Sequence, residues 1–422
     1  MQGMRSLYYI YVLSLFLLLS WGAHAWYTWP MDGNFNILLL VLLLFVTTSS
    51  WLYRIKNNIK LNFHPALLLA WLALMEMRCL HSGGGLHPQD LFVGGLMAYP
   101  LWVVSSDEEH IEEVLSSVIK LLAVLLVLGI ALHLVLLIIG IVPSKIIRYP
   151  SSVLYAFYNY GVLLKSATEY EASGIRFQSV FLEPGYCGTL LAFLLHAVRY
   201  DFKKRENVVL LISLFLSLSL AGIITFVTGY VLNGWAERKN MTAYFAFGII
   251  LGAIVLFGIN YNQGDNVVNE MVLSRIMPDE EDSQRNQRNS IGADIYFESL
   301  FETGEWLHGL GNERIAMING EDLGTAEVSY GEDVIRGAGY KIFILKFGVL
   351  AVLVAFLFYL FVGPMWLGWT NRYAWSFLLL IIITFIPTSY PMSHSWTLPY
   401  VFGMVYASHI ENKDKLNTDK LS

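Results

Sequence analysis

Long apolar segments recur along this chain of 422 residues, and they constrain its fold more than any other feature of the sequence. A helix needs about 20 apolar residues to cross the hydrocarbon core of a bilayer. Clear candidates for such spans lie at 7–26, 36–53, 90–105, 117–142, 180–198, 242–260, 338–363 and 374–389. Weaker candidates lie at 64–77 and 396–409, and we interpret 207–236 as two short helices hinged at Ala221-Gly222. The sequence therefore predicts an all-α, polytopic integral membrane protein, with about twelve transmembrane helices in a single domain over 1–422.

The composition agrees with a membrane protein and excludes two other classes. Only 14% of the residues are charged, whereas soluble globular proteins carry roughly a quarter. The net charge of −6 and the absence of a Lys/Arg stripe exclude a nucleic-acid-binding protein. Two cysteines, Cys79 and Cys187, are too few for a disulfide framework, and we expect two buried, inert thiols rather than a bridge.

The positions of lysine and arginine predict the orientation, because these residues collect in short cytoplasmic loops. With the N-terminus inside, 14 of the 27 basic residues fall in predicted cytoplasmic segments. The segments 143–179 and 261–337 then lie outside, and the polar tail 410–422 is cytoplasmic and expected to be disordered. Residues around Ala23-His24-Ala25 also imitate a secretory signal with its cleavage site, but we favour an uncleaved first helix.

The external segment 261–337 is the most informative part of the chain. It holds sixteen acidic and five basic residues, a net charge of −11, while the rest of the chain sums to +5. An ion pair with a neighbouring carboxylate explains any single basic residue equally well. As a set they favour an anionic ligand, because all are arginines, whose planar guanidinium binds phosphate or carboxylate in bidentate fashion. They are Arg275, Arg285, Arg288, Arg314 and Arg336.

Two shorter patterns within this segment suggest contacts to a substrate. Arg285 and Arg288 are three residues apart and share a face if the segment is helical. Downstream, LHGLG (307–311) follows Trp306 and combines a tight turn with side chains that stack on or hydrogen-bond a sugar, including His308. This Gly-x-Gly follows no strand, so it does not indicate a nucleotide site.

Both external segments end with a carboxylate and an arginine at the mouth of a predicted span. In the first, Arg176 precedes Glu183-Pro184-Gly185, and in the second Glu332 and Arg336 precede the span near 338. Ionisable groups at membrane depth are costly and indicate function. Pro184 and Glu183 also suit the first position and the N-cap of a helix, and the two explanations are compatible.

The histidines do not predict a metal site, since no pair has the i, i+4 spacing of ligands on a helix. His133 and His196 are single residues on apolar helices, and we interpret them as hydrogen-bonded core rather than catalysts. The sequence also lacks a serine-centred nucleophile motif.

These motifs resemble those of bacterial O-antigen and exopolysaccharide polymerases, members of the O-antigen ligase/polymerase superfamily. The likeness runs from about residue 170 to the C-terminus. It comprises Arg176 with Glu183-Pro184-Gly185, then LFLSLSLAGIITFV (214–227), the arginine pair, and LHGLG before a late glycine-bearing span. The first 140 residues match only in hydropathy.

The resemblance implies an enzyme similar to C-type membrane glycosyltransferases, at the outer face of the bacterial inner (plasma) membrane, with both termini cytoplasmic. Its donor and acceptor would be undecaprenyl-pyrophosphate-linked glycans in the lipid bilayer, with no metal or other cofactor. A chain-length regulator is the partner that the family leads us to expect.

The resemblance also implies roles for individual residues. Arg176, Arg285 and Arg288 match the family's external-loop arginines and would bind the pyrophosphate as charge develops on this leaving group. Arg314 and Arg336 are added to this group from their positions in this sequence. A general base would assist the acceptor hydroxyl, and the candidates, in order, are Glu183, Glu332 and His308.

Two alternatives remain open. O-antigen ligases carry a His-Asn-x-Tyr-type stretch before the late span, where this chain reads VSYGED (328–333) without histidine. A ligase is therefore the second choice. A transporter or flippase commonly has twelve spans, but its polar, broken helices lie near the midplane in related halves. The ionisable residues here concentrate in two external segments, so a carrier is the third choice.

Overall fold

The structure is a computed structural model whose described part is mostly helical. The described residues are 2–31, 45, 52, 66–81, 85, 87–105, 108, 110–149, 156–167, 175–238, 291–311, 314–315, 339–388 and 390–419. The predicted span 242–260 lies outside them, as does 36–53 apart from two residues.

Each helix of this part except α8 coincides with a predicted apolar segment. The helices are α1 Gln2–Gly22, α2 Ala66–His81, α3 Pro88–Ser105, α4 Ile111–Ile139, α5 Pro184–Ala197, α6 Arg205–Leu216, α7 Leu220–Ala236, α8 Ile291–Thr303, α9 Gly339–Leu360, α10 Arg372–Phe385 and α11 His394–Asp419. A π-helix, Phe361–Met365, continues α9, and short 3-10 helices lie at Trp26–Met31 and Glu305–Leu307. The helical character is thus confirmed, whereas the number of membrane spans stays a prediction.

Two of the described helices are long and apolar enough to cross a membrane, namely α4 and the segment Gly339–Met365, which comprises α9 and the π-helix. In α4 the exposed side chains are themselves apolar over most of its length, and they include Leu121, Val124, Leu128, Leu134 and Ile138. A surface helix of a soluble protein carries charged and polar residues on its outer face. The outer face of α4 therefore fits contact with lipid better than contact with water.

Helix α5 lies at the centre of the bundle. It packs against α6, α7 and α11, and every residue from Cys187 to Ala197 is buried. The backbones of α5 and α7 approach closely because a glycine stands on each helix. A Cβ on Gly222 would lie 2.7 Å from the Cα of Gly188. Both cysteines, Cys79 and Cys187, are buried and free, as predicted.

The two short helices predicted over 207–236 are confirmed, but the break precedes Ala221-Gly222 and occupies 217–219. Ser219 is the N-cap of α7, where its Oγ accepts a hydrogen bond from the amide of Gly222 at 3.1 Å. Ser217 Oγ donates to the carbonyl oxygen of Leu214 at 2.6 Å. Serine side chains that bond the backbone compete with the helix. The serines therefore end α6, and Gly222 serves the packing against α5.

A small antiparallel sheet, which the sequence analysis did not predict, lies within the segment 143–179 of this mostly helical fold. Its strands are β1 Ile146–Arg148, β2 Ala156–Asn159 and β3 Leu164–Ser166, paired in chain order. The strands are only three or four residues long, so they are too short to show a clear alternation. Buried Trp29, Phe157, Leu164 and Leu182 pack together and attach the sheet to the bundle.

Helix α11 corrects the prediction of a disordered tail over 410–422, because it continues to Asp419. No glycine or proline follows Gly403. The polar residues of this stretch include Glu and Lys, which favour helix. Polarity alone was therefore a poor indicator of disorder here.

The bundle has two ends, and contacts between the termini of different helices define each of them. At the sheet end, where the three strands lie, Ser393 Oγ donates to the carbonyl oxygen of Gly22 at 2.7 Å and so joins α11 to α1. At the opposite end, Lys204 Nζ lies 3.6 Å from Glu112 Oε1, which joins the start of α6 to the start of α4.

Gly222→Ala is expected to destabilise the bundle, because the added methyl would lie 2.7 Å from the backbone of Gly188. Overpacking of this kind costs about 1–3 kcal/mol. Gly95→Ala in α3 is the matched control, since its methyl would meet the Trp71 ring at an ordinary distance of 3.5 Å. Thermal unfolding of purified protein should show a lower midpoint for Gly222→Ala only. Equal midpoints would contradict the close approach of α5 and α7.

Candidate functional site

Two segments at the sheet end carry three of the four predicted site residues that the structure describes, and the fourth is Arg314. One is 176–188, which lies over the break between α6 and α7. The other is 305–311, which lies over an interruption inside α9. Each segment packs against a place where the helical backbone of the apolar bundle is irregular.

Arg176 lies between the sheet and the α6–α7 break. Its Nε donates to the carbonyl oxygen of Ser217 at 3.4 Å, and its own carbonyl oxygen accepts from Lys165 Nζ at 3.2 Å. The next residue continues this attachment, because the amide of Phe177 donates to the carbonyl oxygen of Leu216 at 3.0 Å. The two motifs that carried the resemblance, 176–188 and 214–227, are therefore in direct contact.

Glu183 is the N-cap residue of α5 in an extended conformation, and Pro184 begins the helix, as predicted. The Glu183 side chain makes no capping hydrogen bond, so the capping role expected of its carboxylate is not observed. The amide of Leu182 donates to the carbonyl oxygen of His24 at 3.0 Å. The His24 ring in turn lies 4.8 Å from the Tyr186 ring. These contacts fix the backbone of Glu183 at the mouth of α5.

The LHGLG segment docks into an interruption of α9 at Gly348. Gly348 has φ of +73°, and a Cβ on it would clash with the carbonyl oxygen of Leu307. Gly309 has φ of +74°, and its Cβ would lie 2.7 Å from the amide nitrogen of Gly348. The amide of Leu310 donates to the carbonyl oxygen of Leu345 at 2.7 Å. Glycine is required at both positions by the left-handed backbone and by this contact.

This docking places His308 opposite a carboxylate that the sequence analysis did not select. His308 Nδ1 lies 2.7 Å from Glu76 Oε1. Glu76 belongs to α2, which packs against α9. Its side chain is 22% exposed, whereas that of His308 is 54% exposed, so the pair is open to solvent on the histidine side. A carboxylate inside the apolar helix LLLAWLALMEM was the signal that could have indicated Glu76.

Lys346 lies two residues before the interruption of α9. Its Nζ donates to the hydroxyl of Tyr390 at 3.1 Å and lies 5.7 Å from the centre of that ring. Tyr390 belongs to the loop that precedes α11 at the sheet end. The Lys346 side chain therefore joins the interrupted part of α9 to the loop before α11.

The other predicted site residues have different outcomes. Arg314 Nη1 lies 2.5 Å from Glu305 Oε1, so for this residue the neighbouring ion pair is observed. Four further predicted residues, Arg285, Arg288, Glu332 and Arg336, lie outside the described residues. Among the residues that the structure does describe, no cluster of three His, Cys, Asp or Glu side chains could hold a metal ion.

The two helical histidines belong to the core, as predicted. His196 is fully buried and lies within hydrogen-bond distance of the Tyr200 hydroxyl at 3.3 Å and the Ser376 hydroxyl at 3.2 Å. His133 is also buried, with its ring 5.5 Å from that of Phe177.

Grooves lined by Glu112, Ser116 and Lys204 lie at the opposite end of the bundle. None of the four described site residues, Arg176, Glu183, His308 and Arg314, lines these grooves. We favour the sheet end as the candidate site, because it combines an arginine, a carboxylate and a histidine–carboxylate pair at irregular backbone. Comparison with protein-family models, curated proteins and solved structures found no match to this chain.

Gly348→Ala is expected to release 305–311 from α9, because alanine meets both a left-handed backbone and a clash with Leu307. Gly304→Ala is the matched control, since Gly304 has φ of +78° but a Cβ there would meet nothing within 4 Å. Both variants bear the cost of left-handed backbone, about 1–2 kcal/mol. The clash with Leu307 is specific to Gly348→Ala, and overpacking costs about 1–3 kcal/mol, so amide exchange of 307–311 should be about tenfold or more faster in this variant than in the control. Equal exchange in the two variants would contradict the docking.

Proposed function

We propose that this chain is a membrane polysaccharide polymerase, a glycosyltransferase that joins undecaprenyl-pyrophosphate-linked repeat units into longer chains. The observation that carries the proposal is that ionisable groups lie at two breaks in helical structure at the same end of the bundle. Arg176 and Glu183 lie at the first, and the His308–Glu76 pair lies at the second. Irregular backbone at membrane depth is tolerated where it is buried in protein or lines a water-filled cavity. A polar reaction can therefore take place at such positions, even though the rest of the bundle is apolar.

The reaction consists of one displacement at the anomeric carbon of the donor glycan. The acceptor hydroxyl oxygen forms the new glycosidic bond to this carbon as it loses its proton to a base. The bond from the carbon to the pyrophosphate oxygen breaks, and the electron pair leaves with the pyrophosphate. Negative charge therefore develops on the leaving group, where arginine donors stabilise the transition state more than the ground state.

Arg176 is a described arginine at the sheet end, and its position suits this task. It lies over the α6–α7 break at the same end as the candidate bases Glu183 and His308. The proposal adds Arg285, Arg288 and Arg336 as further donors and Glu332 as another candidate base, on the strength of the sequence alone. Arg314 ranks below them, because its guanidinium already pairs with Glu305.

The proposed setting is the bacterial inner membrane, with the sheet end at the outer face and both termini in the cytoplasm. Exposed Lys203 and Arg205, together with Lys204, lie at the opposite end, which agrees with the preference of basic residues for the cytoplasmic side. The reaction is proposed to need no metal or other cofactor. A chain-length regulator is the proposed protein partner.

Deletion of the gene is expected to leave surface lipid with single repeats instead of long chains, because polymerisation would be the step lost. Gel analysis of surface and lipid-linked glycans, with complementation as the control, measures this directly. Long chains that accumulate on the lipid carrier would instead indicate a ligase. Repeats confined to the cytoplasmic leaflet would indicate a carrier.

Arg176→Lys is expected to lower polymer formation strongly at matched protein level, because lysine keeps the charge but loses the planar donor pair. One donor to a developing oxyanion contributes about 10²–10³ in rate, and lysine should recover only part of this. Arg205→Lys at the opposite end is the matched control, since Arg205 is exposed there. Normal polymer from Arg176→Lys would remove this arginine from the site.

A further inference from the structure

The His308–Glu76 pair has the geometry of a base and the group that orients it. His308 Nδ1 and Glu76 Oε1 are 2.7 Å apart, a normal distance for a hydrogen bond between a ring N–H and a carboxylate. The two residues are 232 positions apart in the chain, so the pair exists only because α2 packs against α9. We propose that His308 is the general base of the transfer reaction and that Glu76 is its positioning residue.

Three independent contacts hold the pair in place. Gly309 packs against the interruption at Gly348. The amide of Leu310 donates to the carbonyl oxygen of Leu345 on α9. Gly311 lies against Leu80 on α2. A Cβ on Gly311 would lie 3.1 Å from the carbonyl oxygen of Leu80. The segment that carries His308 is thus fixed to both helices, one of which supplies Glu76. An adventitious surface ion pair between two flexible side chains has no such support.

The carboxylate decides which nitrogen of His308 carries the proton. Glu76 accepts only, so it stabilises the tautomer with hydrogen on Nδ1 and leaves the lone pair on Nε2. Nε2 belongs to a side chain that is 54% exposed, so the lone pair is accessible to a substrate. The same logic operates where a buried carboxylate orients a catalytic histidine in other enzymes.

The step follows from this arrangement and rests on the proposed function. Nε2 of His308 takes the proton of the acceptor hydroxyl as that oxygen bonds to the anomeric carbon and the pyrophosphate leaves with its electron pair. The imidazolium that forms is stabilised by Glu76, and it returns the proton to solvent after the product departs. This selects His308 among the candidate bases, because it has an orienting carboxylate in the described part of the chain.

The kinetic test uses Glu76→Gln, Glu76→Asp and His308→Gln in the full-length protein, with lipid-linked repeat units as substrate. Glu76→Gln should lower kcat by about 10²-fold with KM little changed, since general-base catalysis contributes about 10²–10⁴. Glu76→Asp should recover part of the rate, and His308→Gln should be at least as impaired as Glu76→Gln. Glu302→Gln, an exposed carboxylate on α8, is the control and should keep wild-type kcat.

The second readout needs no substrate. Nitrogen-15 spectra of histidine-labelled protein give the tautomer of His308, whose signal is identified by its loss in His308→Gln. We expect the neutral form to carry its hydrogen on Nδ1 in the wild type and to gain the Nε2–H tautomer in Glu76→Gln.

The results separate this inference from the proposed function. Wild-type kcat in Glu76→Gln overturns the assignment of His308 and Glu76 as base and positioning residue. A neutral wild-type His308 that carries its proton on Nε2 overturns it as well. Neither result affects the proposed polymerase function. A wild-type protein that forms no polymer from lipid-linked repeats overturns the proposed function, and the base role falls with it.

Discussion

The need to satisfy backbone polar groups inside an apolar bundle is the constraint on which this structure depends. A continuous helix satisfies its own amides and carbonyls, but an interruption leaves groups that need other partners. At 217–219 the partners are the Ser217 and Ser219 side chains together with Arg176. At Gly348 the docked segment 307–311 fills the interruption and bonds the carbonyl oxygen of Leu345. Both interruptions thereby bring polar side chains to the sheet end.

This constraint explains why candidate residues that are far apart in the sequence lie at the same end of the bundle. Arg176 is brought to the first interruption by the segment that leads into α5, and the close contact of Gly188 with Gly222 fixes α5 against α7. His308 is brought to the second interruption by two glycines with left-handed backbone. A carrier would place its broken helices near the midplane in related halves. The break at 217–219 lies beside the sheet, and the interruption at Gly348 lies two residues from Lys346, which contacts Tyr390 at the same end of the bundle. This placement favours the proposed reaction at a membrane face.

Most of the described helices could be predicted from the sequence, and the features that were predicted wrongly or missed have physical reasons. Apolar segments predicted the described helices other than α8, because burial and lipid contact both demand apolar side chains. The break near 217–219 was predicted at the wrong residues, since Gly222 was interpreted as a hinge when its role is contact with Gly188. Glu76 was missed because its pairing with His308 depends on helix packing across 232 residues, which a single sequence does not show. The sheet was missed because its strands are very short.

The central claim is that the lipid-linked glycan binds at the sheet end, and photo-crosslinking tests it most directly. A photoreactive residue is introduced at Ile175 or Leu307, both about two-fifths exposed (41% and 40%) at the sheet end, and at exposed Lys203 at the opposite end. Each variant is irradiated in membranes that contain radiolabelled lipid-linked repeats. The account predicts labelled adducts at positions 175 and 307 that unlabelled repeats displace, and none at 203. Displaceable adducts at position 203 alone would contradict it.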